Sequence, residues 1–377
     1  MKFISLQENL KHGLLIVSNA TSKNINLPIL NNILIKAKDN IIQLVSTNLE
    51  IGIVHNIRGK IDNEGEFTVN SRVITDYVNL LPGDKVSIEE KDGELLVECQ
   101  NYKTKVKGQE AKEFPLLPSV EKDGFYEVDV VQFKKALAQV VFAVSNNELR
   151  LELSGVFFSF SQDGLTLAAT DSYRLAEKRI RIKSSNIKGD KKVIVPVKTA
   201  QDLTRIISLL EDFGEKADEG QTVKIYLSDN QILFSFKSTE LISRVISGQY
   251  PDYQQIIPSE FKTSILVDRQ ELTRAVKASA IFSKTGINDI NLIFFPDKNE
   301  TIISSASGQT GESSTNLQCS VTGENNDATV NFRYLLDGLN NIETKKIKIE
   351  VINNSTPCLI KGEGDDSYLY IIMPIRQ

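Results

Sequence analysis

Histidine does most general-base chemistry near neutral pH, and the 377 residues hold two, His12 and His55. Neither has a cysteine or carboxylate at a spacing that makes a nucleophile–base pair or a metal cage. His12 falls one turn into an amphipathic segment and His55 follows an apolar run beside Arg58, so both read as surface or satisfied structural residues. The cysteines, Cys99, Cys319 and Cys358, are odd in number and scattered, with no CxxC pair, which fits a reduced, cytoplasmic setting. No GxGxxG follows a strand pattern, and no GxxxxGK[ST] occurs. Glu89-Glu90 and Asp365-Asp366 are consecutive carboxylates, and successive strand residues point to opposite faces, so neither pair converges on one site. These residues predict no catalytic site, no metal and no cofactor. A hydrolase or transferase using Asp171 or Arg174 is the enzymatic alternative, and it lacks a nucleophile–base pair.

The elements that carry the charged residues recur three times. Phe114-Pro115, Tyr250-Pro251 and Met373-Pro374 are each an apolar residue followed by proline, in nearly equal steps. Val69-Asn70, Val195-Pro196 and Val330-Asn331 each close a run of β-formers, with Arg72, Lys198 and Arg333 two positions on and Asp76, Asp202 and Asp337 six positions on. Shared order and spacing of this kind mark three copies of one module, with boundaries at 1-119, 120-250 and 251-377. First helices are expected from near Gln7, Asp129 and Asp268, with stripes of Leu10, Leu14 and Val17; Phe133, Leu137, Val140, Val141 and Val144; and Leu272, Val276 and Ala280. Second helices follow Asn70, Pro196 and Asn331, with stripes of Val73, Tyr77 and Leu80; Leu203, Ile206 and Leu210; and Leu335, Leu339 and Ile342. Period-two runs and turns such as Asp92-Gly93 and Asp163-Gly164 lie between. The fold class is α+β: three tandem copies of a two-helix, antiparallel-sheet module.

Composition agrees. Hydrophobic residues at 41% and charged residues at 25% describe a folded globular chain, and MKFISLQENL lacks the apolar core of a signal peptide. The net charge of −5 excludes a chain that binds nucleic acid over its whole surface, but not a local basic face. Lys11 and His12, Lys134 and Lys135, and Arg274 and Lys277 lie off the apolar stripes, and Arg72, Lys198, Arg205 and Arg333 start or follow the second helices. Together they predict a shared basic surface, diluted by Asp76, Asp202 and Asp337.

Several segments, in order along the whole chain, resemble one family. They are MKF with LPIL (Leu27 to Leu30), TNLEIGI (Thr47 to Ile53), SGVFFSF with ATDSYRLA (Ser154 to Ala176), SGQYPDYQQIIP (Ser247 to Pro258) and the terminal MPIRQ. The family is the bacterial DNA polymerase III β subunit, the sliding clamps. The resemblance implies a DNA clamp fold and a non-catalytic processivity factor. It implies a head-to-tail homodimer closing a ring around double-stranded DNA without sequence preference, with no membrane partner. The basic residues above, with Lys23, would face the DNA, while Lys23-Asn24 and Gln255 depart from the basic pattern expected there. The lysine-alternating run Tyr102 to Lys107, with Val106, would meet Ile281 and Phe282 across the dimer contact.

The resemblance also implies a pocket for short peptides of the replicative polymerase subunit, the clamp loader and other clamp-binding proteins. Its positions here are Leu153, Thr170, Ser172, Tyr173, Arg174, Leu175, Pro251 and Ile256, with Asn331, Tyr334, Ile371, Met373, Pro374, Ile375 and Arg376 from an exposed third-module end. Ile375 and Gln377 depart from the family pattern and predict a stiffer pocket. A peptide-binding scaffold that never encircles DNA is the third reading.

Overall fold

In the computed structural model, which describes residues 1–22, 26–147, 149–212 and 221–376, one element order runs through the chain three times. In the first copy β1 (Lys2–Leu6) leads into α1 (Gln7–Val17), then β2 (Asn32–Lys38), β3 (Ile41–Thr47), β4 (Ile51–Ile57), β5 (Gly59–Asn63) and β6 (Gly65–Asn70). Helix α2 (Ser71–Leu80) follows, and β7 (Lys85–Lys91), β8 (Glu94–Cys99) and β9 (Tyr102–Gln109) close the copy. The second copy has β10 (Tyr126–Asp129), α3 (Val130–Val141), β11 (Gly155–Ser161), β12 (Gly164–Thr170), β13 (Arg174–Ile180), β14 (Ile182–Ser185) and β15 (Lys191–Pro196). It ends with α4 (Val197–Asp212), β16 (Thr222–Leu227), β17 (Gln231–Phe236) and β18 (Thr239–Arg244). The third has β19 (Thr263–Asp268), α5 (Arg269–Ala280), β20 (Asp289–Phe295), β21 (Glu300–Ser307), β22 (Gly311–Gln318), β23 (Ser320–Gly323) and β24 (Asn326–Asn331). Helix α6 (Phe332–Asn341), β25 (Lys346–Val351), β26 (Cys358–Gly362) and β27 (Tyr368–Ile372) complete it. No helix among the described residues is long and apolar enough to cross a membrane.

Helix starts follow the sequence. Asp268 accepts from the Gln270 and Glu271 amides (2.9 and 3.0 Å), and Asp129 from those of Val131 and Gln132 (3.1 Å each). The first-helix stripes are buried at Leu10, Leu14, Phe133, Leu137, Leu272 and Val276. So are Leu203, Ile206, Leu335 and Leu339 of α4 and α6. Helix α2 differs from its expected orientation. It buries Ser71, Ile74, Thr75 and Val78, and Val73 and Leu80 of the expected stripe are 49% and 78% exposed. This helix has apolar residues on two faces, and the smaller, partly polar face goes inward against α1, where Gln7 Nε2 donates to the Val78 carbonyl (2.8 Å).

The chain forms two compact units, and the second copy is divided between them. Unit 1 (Met1–Lys134, Ile182–Lys188, Lys198–Val245) holds one 14-stranded sheet, ordered β14-β10-β16-β17-β18-β4-β3-β2-β6-β9-β8-β7-β1-β5. Unit 2 (Lys135–Arg181, Gly189–Val197, Ile246–Gln377) holds a 9-stranded sheet, β15-β11-β12-β13-β27-β26-β25-β19-β23, and a 4-stranded one, β22-β21-β20-β24. Copies are joined by strand pairing. Within unit 1, β4 of the first copy pairs antiparallel with β18 of the second, Ile53 opposite Leu241. Within unit 2, β13 of the second pairs with β27 of the third, Ala176 opposite Tyr370. In both joints the fourth strand of one copy meets the ninth strand of the next. Two strands of these types are left over: β22, the end strand of its sheet, and β9, which pairs β8 along its length and β6 only at Gly108 and Gln109.

Both histidines are buried, with ring centroids 5.8 Å apart, and His55 Nδ1 is 2.8 Å from Thr239 Oγ1 at the first joint. They are structural residues of that joint.

Candidate functional site

Residues of TDSYRL and MPIRQ, which the sequence singles out, come together within unit 2 around the turn between β12 and β13. Asp171 Oδ1 accepts from the Tyr173 and Arg174 amides (3.0 Å each), and Thr170 Oγ1 donates to the Arg174 carbonyl (2.6 Å). Ser172 takes a left-handed backbone (φ 77°), which a short polar side chain tolerates. This tight turn pushes Tyr173 outward, leaving it 63% exposed.

Beneath the turn lies an apolar floor. Leu153, Leu175, Tyr250, Tyr253 and Ile371 are buried in one cluster, with Phe157 stacked on Tyr250 at 4.8 Å between ring centroids. Tyr253 donates to Glu177 Oε2 at 2.6 Å, which satisfies a buried carboxylate from β13. Pro251 is half-buried and Ile256 exposed on the connector. The chain end is held rather than loose: the Met373 amide donates to the Tyr173 carbonyl (2.8 Å) and the Ile375 amide to the Thr329 carbonyl (2.7 Å). Met373, Pro374 and Ile375 are half-buried and Arg376 is exposed, so the expectation of an exposed end holds for Arg376 alone; Gln377 lies outside the described residues.

Arg174 ties the two copies together. Its side chain is 12% exposed, and its Nε donates to Asp171 Oδ2 at 3.0 Å. Nη1 pairs with Asp337 of α6, Nη2 donates to the Phe142 carbonyl (2.9 Å), and the guanidinium lies 4.6 Å from the Tyr334 ring. Burial works against its charge, but Tyr370, Asp337 and Asp171 outweigh it and hold the pKa above the ordinary arginine value. Asn331 caps α6 through the Arg333 amide (2.9 Å). The Asp171–Arg174 pair thus builds a turn and a joint rather than a reacting centre. Sequence reasoning missed Phe142 as a partner of Arg174, and it read Asp337 only as dilution of a basic face.

Profiles of known families match almost the whole length. Residues 1–118 match "DNA polymerase III beta subunit, N-terminal domain", 127–252 its central domain and 254–376 its C-terminal domain. The chain belongs to the DNA polymerase III β subunit family. It is 29% identical over 379 residues to the beta sliding clamp of Synechococcus elongatus, covering 100% of this chain and 99% of that one. Against the Staphylococcus aureus beta sliding clamp it is 28% identical over 368 residues, 95% of this chain and 94% of that one. The crystal structure of the Bacillus subtilis DNA polymerase sliding clamp is similar at TM-score 0.92 and 27% identity, covering 100% and 99% of the two chains.

In this member of the DNA polymerase III β subunit family, the basic residues singled out from sequence fall into two groups. Lys135 pairs with Glu343 at 2.5 Å, Lys198 with Asp202 at 2.7 Å and Arg72 with Asp76 at 3.5 Å. Arg205, Arg274, Lys277 and Arg333 are exposed, and Lys11 and Lys134 half-buried; Lys23 and Asn24 lie outside the described residues. Of the three residues expected at the dimer contact, Val106 is buried within its own chain opposite Leu95, Phe282 is half-buried and Ile281 is 71% exposed.

Proposed function

We propose that this chain is a sliding clamp: a non-catalytic processivity factor whose two copies close head to tail around double-stranded DNA and tether replication proteins through the unit 2 cleft. One observation carries the reading. Each joint within the chain pairs a fourth strand with a ninth strand, and β22 and β9 are the fourth and ninth strands that remain. A second copy can repeat the joint, β22 of one on β9 of the other, in both directions, which closes the assembly with two heterologous contacts.

The register follows from the repeat. Ser46 and Ser305 both donate to the carbonyl near the end of their own first helix, Val17 and Ser279, so they are equivalent positions. Ser46 faces Ile53 and Ser305 faces Ser313. Thr104 lies opposite Val97 as Leu241 lies opposite Phe234. Because Ile53 meets Leu241, Ser313 is expected opposite Thr104 of the second copy, and Glu312 opposite Lys105. The helices agree. In the second joint Gln139 of α3 donates to the Asn341 carbonyl of α6 (2.8 Å). The corresponding region of α5 and α2 carries the exposed Ile281 and Leu80. Phe282 borders the same contact and Val106 backs β9 from inside.

The three modules, 1-119, 120-250 and 251-377, supply six in the closed pair. Lys11, Arg72, Lys134, Lys198, Arg205, Arg274, Lys277 and Arg333 supply phosphate contacts that are sequence-independent and weakened by salt, as sliding requires. Partners are the replicative polymerase, the clamp loader and other proteins with short docking peptides, in the cytoplasm. After loading, the protein is expected to stay on closed circular DNA and to run off linear DNA; equal loss from both would sink the ring and leave a peptide-binding scaffold.

A further inference from the structure

The frame of the unit 2 cleft is built a second time in unit 1. Thr47 Oγ1 donates to the Ile51 carbonyl (2.9 Å), as Thr170 does to that of Arg174. Asn48 Oδ1 accepts from the Glu50 and Ile51 amides (3.0 and 2.7 Å), as Asp171 does from Tyr173 and Arg174. Leu49 shares the left-handed backbone of Ser172, at φ 75°. The Arg244 amide donates to the Glu50 carbonyl (3.0 Å), as Met373 does to Tyr173. Connectors correspond as well: Phe114 is buried with Leu34 and Val45, as Tyr250 is with Ala168, packed against Phe157. Between turn, connector and the end of β18 lies a groove of about 390 Å³.

We propose that this first-joint groove is a second peptide-docking site, which takes an extended apolar segment carrying a carboxylate; the inference rests on reading the unit 2 cleft as a peptide site. Its apolar surface comes from Leu49, Ile51, Leu116, Leu117 and Ile242, and Leu116 is 94% exposed. Floor depth differs from the cleft. Where Leu175 stands in unit 2 the groove has Gly52, and a Cβ there would come within 2.6 Å of the Leu117 side chain. Leu117 therefore lies on the bare backbone and makes a shallower floor.

Charge selects the occupant. Arg244 occupies the position of Met373 and Glu50 that of Tyr173, so two apolar contacts of the cleft become ionic ones. The Arg244 side chain is exposed and makes no ion pair among the described residues, so a carboxylate on the incoming segment completes it. Glu50, exposed beside it, repels a second carboxylate at the turn. The site thus discriminates by charge where the cleft discriminates by apolar shape.

The test is calorimetric titration of the full chain with the peptide acetyl-Asp-Leu-Phe-Leu-amide and its Lys-for-Asp counterpart. The acidic peptide is expected to bind two per chain. Arg244→Glu and, separately, Leu116→Glu should each weaken one of the two sites about tenfold or more, the first by losing a charge-assisted contact and the second by putting a carboxylate on the apolar lining where an acidic peptide docks. Removal of residues 373–377 should abolish the other. A single equivalent that survives both groove substitutions and disappears with residues 373–377 overturns the groove. Groove binding of the Lys peptide as tight as the Asp peptide overturns the carboxylate preference. Two equivalents untouched by the deletion overturn the cleft reading instead.

Discussion

Replacing Leu80 and Ile281 together by alanine isolates the proposed contact between copies from the fold of each copy. Both side chains are mostly outside the core, 78% and 71% exposed, so truncation leaves no cavity in the isolated chain. Full burial of a leucine or isoleucine stabilises by about 1.5–3 kcal/mol, and roughly three quarters of that remains to be gained when a second copy covers these residues. Each joint is then weakened by about 3.5 kcal/mol, and the closed pair has two joints, so about 7 kcal/mol in all. At 1.4 kcal/mol per tenfold, the dimer dissociation constant rises by about five orders of magnitude. Sedimentation equilibrium across a wide concentration range reads this directly, with thermal unfolding of the monomer as control. A variant that dimerises within tenfold of the parent would refute the reasoning from repeated joints. So would a fall in monomer stability as large as the fall in association.

Three further outcomes are expected. Arg174→Ala leaves Asp171 and Asp337 facing each other without the intervening cation, and breaking such a partly buried pair costs about 3 kcal/mol; urea unfolding should show it, together with weaker peptide binding at the unit 2 cleft, and an effect on neither would exclude the role given to Arg174. The Ser184 and Thr222 hydroxyls donate to Glu127 (2.5 Å each) and hold its carboxyl below the usual glutamate value. A depressed carboxylate stabilises above its unfolded pKa and loses that contribution as pH falls through the folded one, so Glu127→Gln should lower Tm at neutral pH, with the difference shrinking in acid; a pH-independent difference would contradict this. Reversing the charge of Lys11, Arg205 and Lys277 should weaken DNA binding most at low salt and flatten its salt dependence by about 0.9 for every phosphate no longer neutralised, and an unchanged slope would remove them from the DNA face.

How much was legible depended on whether a residue had a competing place to go. Leu10, Leu14 and Val17 of α1 were placed by period, whereas His12 and Ile16, off that stripe, are buried as well and were not. Helix α2 offered Val73 and Leu80 on one side and Ile74 and Val78 on the other, and periodicity cannot choose between two apolar faces. The turn motif TDSYR was readable, and so was TNLEI, but their likeness was hidden because side chains that point out of the turn differ while Thr and Asn or Asp hold the same hydrogen bonds. Those two hydrogen-bonding residues were the available signal. Arg174's reach to Asp337 was not legible, since that partner lies far away in sequence and in another copy, brought near by the pairing of β13 with β27.

The unlike nature of β22 and β9 has a consequence for how the protein can go wrong. An interface made from one patch meeting itself saturates at two copies, whatever the angle between them. Here the open edges are donor and acceptor of different kinds, so association has polarity, and nothing in the pairing chemistry alone limits its length. The lysines along β9, Lys103 and Lys105 paired with Glu98 and Glu94 of β8 and Lys107 beyond them, crowd this edge with charge and oppose casual extension by an apolar strand.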